Sequence, residues 1–98
     1  MNPETAIETA FQAWCKREGL RCLKLILNTH RGWPDRAVLI PGGKPLFIEF
    51  KAPGGRLSHH QRGWLDELKA LGYHVGVARS LEDAIGHVRA ASVSARGD

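Results

Sequence analysis

Residues 41–45 read Pro-Gly-Gly-Lys-Pro and separate two short apolar runs, 35–40 and 46–51. Two prolines around two glycines let neither a helix nor a strand pass through. The chain must turn back, and the two runs are predicted to pair as a hairpin. The rest of the sequence arranges itself around that hairpin. Asn2-Pro3 caps and opens a helix that runs to about Glu18, with Ile7, Phe11, Trp14 and Cys15 on its apolar face and Gly19 as its terminator. Arg21 to Leu27 reads as a strand with Leu23, Leu25 and Leu27 on one face. Ser58-x-x-Gln61 is a capping box for a second helix, whose stripe is Trp64, Leu65, Leu68 and Leu71. Tyr73, Val75 and Val77 alternate as a fourth strand, and Ser80-x-x-Asp83 opens a third helix with Leu81, Ile85 and Val88 inward. The expected order is α-β-β-β-α-β-α, an α/β fold with a mixed sheet flanked by helices. Residues 1–90 are expected to form one domain, and residues 91–98, small and polar, a frayed tail.

Composition narrows the classes. No apolar run approaches ~18 residues, so a membrane helix is not expected. The start, Met1-Asn2-Pro3-Glu4, has neither a basic patch nor an apolar segment, so no export signal is expected. Cys15 and Cys22 are too few for a disulfide scaffold and read as reduced, partly buried thiols in a cytosol. Fourteen Lys and Arg against ten Asp and Glu give +4, and nine of those cations are Arg, the side chain that grips phosphate with two donors. Polyanion binding is the partner class this balance suggests.

The hairpin carries the chemistry. A turn centred near Gly43 sets position 35 roughly opposite position 51. Alternation places Glu49 and Lys51 on one face, and Asp35 joins them, beside Lys51 and diagonal to Glu49. Two carboxylates about 5 Å apart repel by about 3 kcal/mol at an effective dielectric near 20. Lys51 offsets part of that, and a hard divalent cation offsets more. Asp35 and Glu49 are the candidate metal ligands, with the Phe50 carbonyl as a third oxygen; Lys51 is placed to orient hydroxide or to stabilise charge on a phosphoryl transition state. An ordinary cross-strand charge group is the bland alternative. Against it, Leu46-Phe47-Ile48 leads into Glu49, and a strand that apolar is expected to be central, where a carboxylate needs a reason.

Gly32-Trp33-Pro34-Asp35, then Glu49-Phe50-Lys51, then Pro53-Gly54-Gly55-Arg56-Leu57-Ser58 with Gln61 and Trp64 resembles the PD-(D/E)XK nuclease superfamily, and more narrowly its stand-alone VRR-NUC domains. The resemblance covers nearly the whole chain. It implies a restriction-endonuclease-like core and Mg²⁺- or Mn²⁺-dependent hydrolysis of DNA phosphodiesters. It further implies Asp35 and Glu49 as metal ligands, Lys51 as the catalytic lysine, a first-helix glutamate, matched by Glu8, as a further catalytic and metal-binding residue, and an active-site role for Gln61. Glu4 competes with Glu8, one turn earlier. Gln61 has a second role open to it, as the cap residue of its helix. Arg31, Arg36, Arg56 and Arg62 are candidate phosphate contacts, and Gly54 and Gly55 permit close approach of backbone to DNA. Trp33 is open between base stacking and core packing; adjacent His59 and His60 diverge on a helix and read as surface residues. A symmetric homodimer acting on branched DNA such as a four-way junction suits so small a chain. The rivals are a non-catalytic basic DNA-binding module and a sequence-specific restriction-type nuclease, whose recognition loops usually need more chain.

Overall fold

The computed structural model describes residues 1–97. Its elements are α1 (Pro3–Arg17), β1 (Arg21–Lys24), β2 (Arg36–Leu39), β3 (Leu46–Phe50), α2 (His59–Ala70), β4 (His74–Ala78) and α3 (Leu81–Arg96). This is the expected α-β-β-β-α-β-α order. The sheet order is β1-β2-β3-β4, antiparallel across the first three strands and parallel between β3 and β4. Parallel neighbours need a crossover, and α2 supplies it.

The helix starts follow their caps. The Asn2 side chain accepts from the Thr5 N–H at 2.8 Å, and Ser80 accepts from Asp83 N–H at 3.0 Å. At α2 the box is reciprocal: Gln61 N–H donates to Ser58 Oγ at 3.1 Å, and Ser58 N–H donates to Gln61 Oε1 at 2.8 Å.

One face of the sheet packs on α1 and α3. Phe11 and Cys15 of α1 meet Val38, Ile40, Leu46, Ile48 and Phe50 of the strands and Ala84, Val88 and Ala91 of α3. The opposite face of β3 and β4 is covered by α2, through Leu65 and Leu68 and an aromatic tier in which Trp33 meets Trp64 at 4.6 Å and Phe47 at 5.9 Å. Trp33 is therefore a packing residue; its indole N–H is buried without an acceptor.

Four expectations need correction. First, the register is shifted by two. The pairs are Arg36↔Ile48, Ala37↔Phe47 and Val38↔Leu46, so Asp35 falls opposite Glu49 and not Lys51. The cause is the turn itself: Gly43 N–H donates to Ile40 O at 3.0 Å, with Pro41 and Gly42 (φ +74°) at its centre. Proline at the first central position and a positive-φ glycine at the second define a type II turn, and the strand pairs beyond it place the hairpin axis at Gly42 rather than Gly43. A shift of two preserves the face, so Asp35 still joins Glu49.

Second, the strand expected over residues 21–27 ends at Lys24, so Leu25 and Leu27 lie beyond it, and Leu23 turns outward. Leu23 is 37% exposed, because α2 lies over β3 and β4 and leaves this face of β1 and β2 uncovered; Leu27, past the strand, is 44% exposed. Cys22 is the residue that packs inward. Third, Leu71 is the C-cap of α2 and is 64% exposed; the stripe ends at Leu68. Fourth, the frayed tail expected from residue 91 is helical through Arg96, with Ala91 2% exposed and Ala95 packed on the core. Small residues there let the helix lie close to the sheet. Asp98, the last residue of that expected tail, lies outside the described residues. Among the described residues, no helix is long and apolar enough to cross a membrane.

Candidate active site

Asp35 leaves the Gly-Trp-Pro loop just before β2 begins, and its Oδ2 accepts the Phe50 N–H at 2.8 Å. The side chain thus takes the place of a backbone partner on β3. A residue's N–H and C=O face the same neighbour along a strand, so the Phe50 carbonyl also faces Asp35. The Phe50 ring points the other way, into the core, 5.6 Å from Phe11. Glu49, by alternation, stands on the α2 face beside Asp35.

Gly32 lets this loop close on α2. It sits at φ +77°, and a Cβ there would lie 2.5 Å from Gln61 N and 2.6 Å from the His60 carbonyl carbon. With the loop that close, the Gln61 side chain reaches the sheet: Nε2 donates to Glu49 Oε2 at 3.0 Å while Oε1 keeps its cap bond. One amide thus makes both the helix cap bond and a bond to the Glu49 carboxyl.

Glu49 is 4% exposed, the one charged residue in the buried set among the described residues. Its Oε2 has Gln61, and its Oε1 is buried with no donor. Burial, and then the neighbouring Asp35 carboxyl, push its pKa up to about 8, against the pull of Lys51. Asp35 is also raised, by burial first, with the Phe50 N–H opposing. Two adjacent carboxyls that both resist ionisation form a site short of positive charge. A buried oxygen without a donor, next to a second carboxylate and a strand-end carbonyl, makes a hard-oxygen set suited to a divalent cation. Among the described residues no three His, Cys, Asp or Glu side chains converge, so any such ion rests on two carboxylates, with the remainder from backbone, water or substrate. Lys51 follows at once, half-buried and close enough to stabilise the Glu49 carboxylate.

The first-helix glutamates divide differently than expected. Glu8 faces the α1 side of the sheet and accepts from Lys24 Nζ at 2.8 Å and Arg36 Nε at 2.7 Å. Burial raises its pKa, but these two cations outweigh burial and hold it below the usual value. Glu4 instead lies at the site: its Oε1 accepts the Ala52 N–H at a long 3.4 Å, and its charge adds to the upward push on Glu49. Spacing contained the signal. Glu4 precedes Phe11 by seven residues, only about 20° away on a helical projection.

Arg36 is likewise corrected. Its side chain is 11% exposed and donates to Glu8 and to Gln12, so it braces α1 against β2 and does not face solvent. Arg31, Arg56 and Arg62 are exposed. Gly54, at φ +80°, is exposed with open space around it, and Gly55 N–H closes a turn onto Ala52 O at 2.9 Å. His59 and His60 are exposed, as expected.

Comparison with known proteins gives a consistent result. The VRR-NUC domain model matches residues 2–82. "Putative nuclease p44" of Acyrthosiphon pisum secondary endosymbiont phage 1 is 36% identical over 77 residues, covering 79% of this chain and 83% of that one. Two solved structures share the fold. A VRR_NUC domain protein superposes with a TM-score of 0.80 at 18% identity, covering 96% of this chain and 90% of its own. A second VRR_NUC domain superposes with a TM-score of 0.80 at 21% identity, covering 91% and 97%. The sheet that brings Asp35 to Glu49 is therefore shared with solved VRR_NUC domains, and this chain belongs to the VRR-NUC family.

Proposed function

We propose that the protein is a Mg²⁺- or Mn²⁺-dependent endonuclease that hydrolyses DNA phosphodiesters, with Asp35, Glu49 and the Phe50 carbonyl as metal ligands and Lys51 as the catalytic lysine. The observation that carries this reading is the donorless, buried Oε1 of Glu49 facing a second carboxyl at the end of β3. A bound divalent cation supplies Lewis acidity to the scissile phosphate and lowers the pKa of water. The chain supplies the geometry. Phe50 N–H aims Asp35, and Gln61 holds Glu49 through Oε2 beside the Asp35 carboxyl. Lys51 offers an ammonium to charge developing on phosphate. Glu8 stays outside this set, because Lys24 and Arg36 already occupy its carboxylate.

For substrate, we favour branched DNA such as four-way junctions, cut by a symmetric homodimer. Arg31, Arg56 and Arg62 supply exposed charge around the site. Leu23 and Leu39, 37% and 45% exposed on the uncovered face of β1 and β2, offer apolar surface for a second copy. Cleavage assays with Mg²⁺ and with Mn²⁺ on linear duplex, flap and four-way junction DNA test the proposal. The expected result is metal-dependent cutting, strongest on the junction, and a dimer by sedimentation at micromolar concentration. Binding without cutting, with either metal, returns the protein to the class of silent DNA-binding modules. A monomer at that concentration removes the symmetric-substrate argument.

A further inference from the structure

The segment after Lys51 is held from two sides. Ala52-Pro53-Gly54-Gly55 forms a turn closed by Gly55 N–H to Ala52 O at 2.9 Å, with Gly54 at φ +80°. Its entry is tied to α1 through the Ala52 N–H and Glu4. Its exit is tied to the end of β4: Arg79 donates a guanidinium N–H to Gly55 O at 2.8 Å. Arg79 is itself anchored, since its backbone N–H donates to Asp83 Oδ2 at 3.0 Å, and Asp83 in turn is bound to the α3 cap, Ser80. The strand beside it is locked as well, because Lys51 N–H donates to Ala78 O at 3.0 Å. Gly55 packs back on the lysine: a Cβ placed on it would lie 3.0 Å from Ala52 O and 3.7 Å from the Lys51 Cβ.

We propose that Arg79 is a positioning residue for Lys51, clamping the Pro-Gly-Gly turn so that the base of the lysine side chain is confined between Gly55 and β4; this rests on the nuclease reading above. A guanidinium suits the task because its donors project from a planar, always-charged group. A carbonyl acceptor at 2.8 Å, reached from an adjacent strand end, fixes the turn without drawing a carboxylate into a site already crowded with them.

The test uses the full chain, its Arg79→Gln and Arg79→Lys variants, and the DNA that the wild type cuts best. Arg79→Gln should lower the single-turnover rate at saturating DNA about tenfold, the scale of a modest misplacement of a catalytic group. DNA affinity and its salt dependence should not change. In a Lys51→Ala background the same substitution should lower the rate less than about twofold, since neighbours acting through one group are non-additive. Arg79→Lys, which keeps a donor, should recover part of the loss. An equal loss in both backgrounds, or a loss confined to DNA affinity with a weaker salt dependence, overturns the proposal, the second result making Arg79 a phosphate contact. Hydrogen exchange without DNA gives an independent reading. The Gly55 amide should exchange about tenfold faster in Arg79→Gln, with the α1 and α3 amides unchanged. Unchanged exchange at Gly55 overturns the clamp even if the enzyme is active. If the wild type cuts no DNA, the nuclease reading has failed, and exchange at Gly55 alone decides whether the clamp exists.

Discussion

On the α1 face of the sheet, Glu8 receives two cations, Lys24 at 2.8 Å and Arg36 at 2.7 Å. On the α2 face, Glu49 receives one neutral amide, Gln61, and stands against Asp35. The two side chains have the same chemistry, and their surroundings push them in opposite directions: Glu8 below its usual pKa, Glu49 up to about 8. A carboxylate supplied with cations has nothing left to do but hold elements together. A carboxylate buried beside another lacks charge compensation, a deficit of the kind a divalent cation can fill. Strongly perturbed groups in want of a partner mark a site; satisfied ones mark a strut.

The most severe way to break this contrast is to remove the deficit. Asp35→Ala or Glu49→Ala should abolish cleavage while DNA binding, measured by anisotropy, stays close to wild type. Unchanged turnover in either variant takes that residue out of the mechanism. Lys51→Ala should cost at least about 10²-fold in rate, as loss of a transition-state donor does; a smaller effect makes the lysine structural.

A gentler test uses pH. The folded pKa of Glu49, about 8, lies above its reference value of 4.5, and Asp35 is shifted in the same direction. In the metal-free protein the Glu49 shift therefore contributes its stability in full below about pH 4 and loses it as pH rises through about 8, and the Asp35 shift acts in the same direction. Melting temperatures without metal should fall across that window, and Glu49→Gln should flatten the fall. Metal binding must expel the retained proton. Calorimetry at pH 7 in buffers of different ionisation enthalpy should show proton release on Mg²⁺ addition. At subsaturating Mg²⁺ the rate should climb with pH by up to about tenfold per unit below 8, and a flat profile would count against Glu49 as a ligand.

The smallest effect on cleavage is expected from the strut. Glu8→Gln leaves Arg36, 11% exposed, without its carboxylate, which should cost about 1–3 kcal/mol in denaturant unfolding. The Lys24 half of the pair, 48% exposed, contributes little. Cleavage at saturating Mg²⁺ should stay within about threefold of wild type. Lost cleavage with unchanged stability would return Glu8 to the metal set.

Much of this was legible because local rules sufficed. Asn2, Ser58 and Ser80 announced all three helix starts, since caps act within three residues of sequence. The face shared by Asp35 and Glu49 followed from the two-residue period of strands, which even a displaced register respected. What local rules missed involved a third element. Leu23 read as part of a strand's leucine face, and only the placement of α2 over β3 and β4 alone left it 37% exposed. Arg36 looked like a phosphate contact until α1 placed Glu8 and Gln12 over it. Glu4 and Glu8 competed as glutamates one turn apart on α1, and only their tertiary partners, Ala52 for one and Lys24 with Arg36 for the other, separated them.

The order of elements, the hairpin and the face shared by Asp35 and Glu49 were written in the sequence, because capping, alternation and Pro-Gly turns are short-range properties of the chain. Which carboxylates would be matched with cations was decided only by tertiary structure. Charge compensation depends on distances of a few ångströms between side chains far apart in sequence, and the packing of α1 and α2 on opposite faces of one sheet sets those distances.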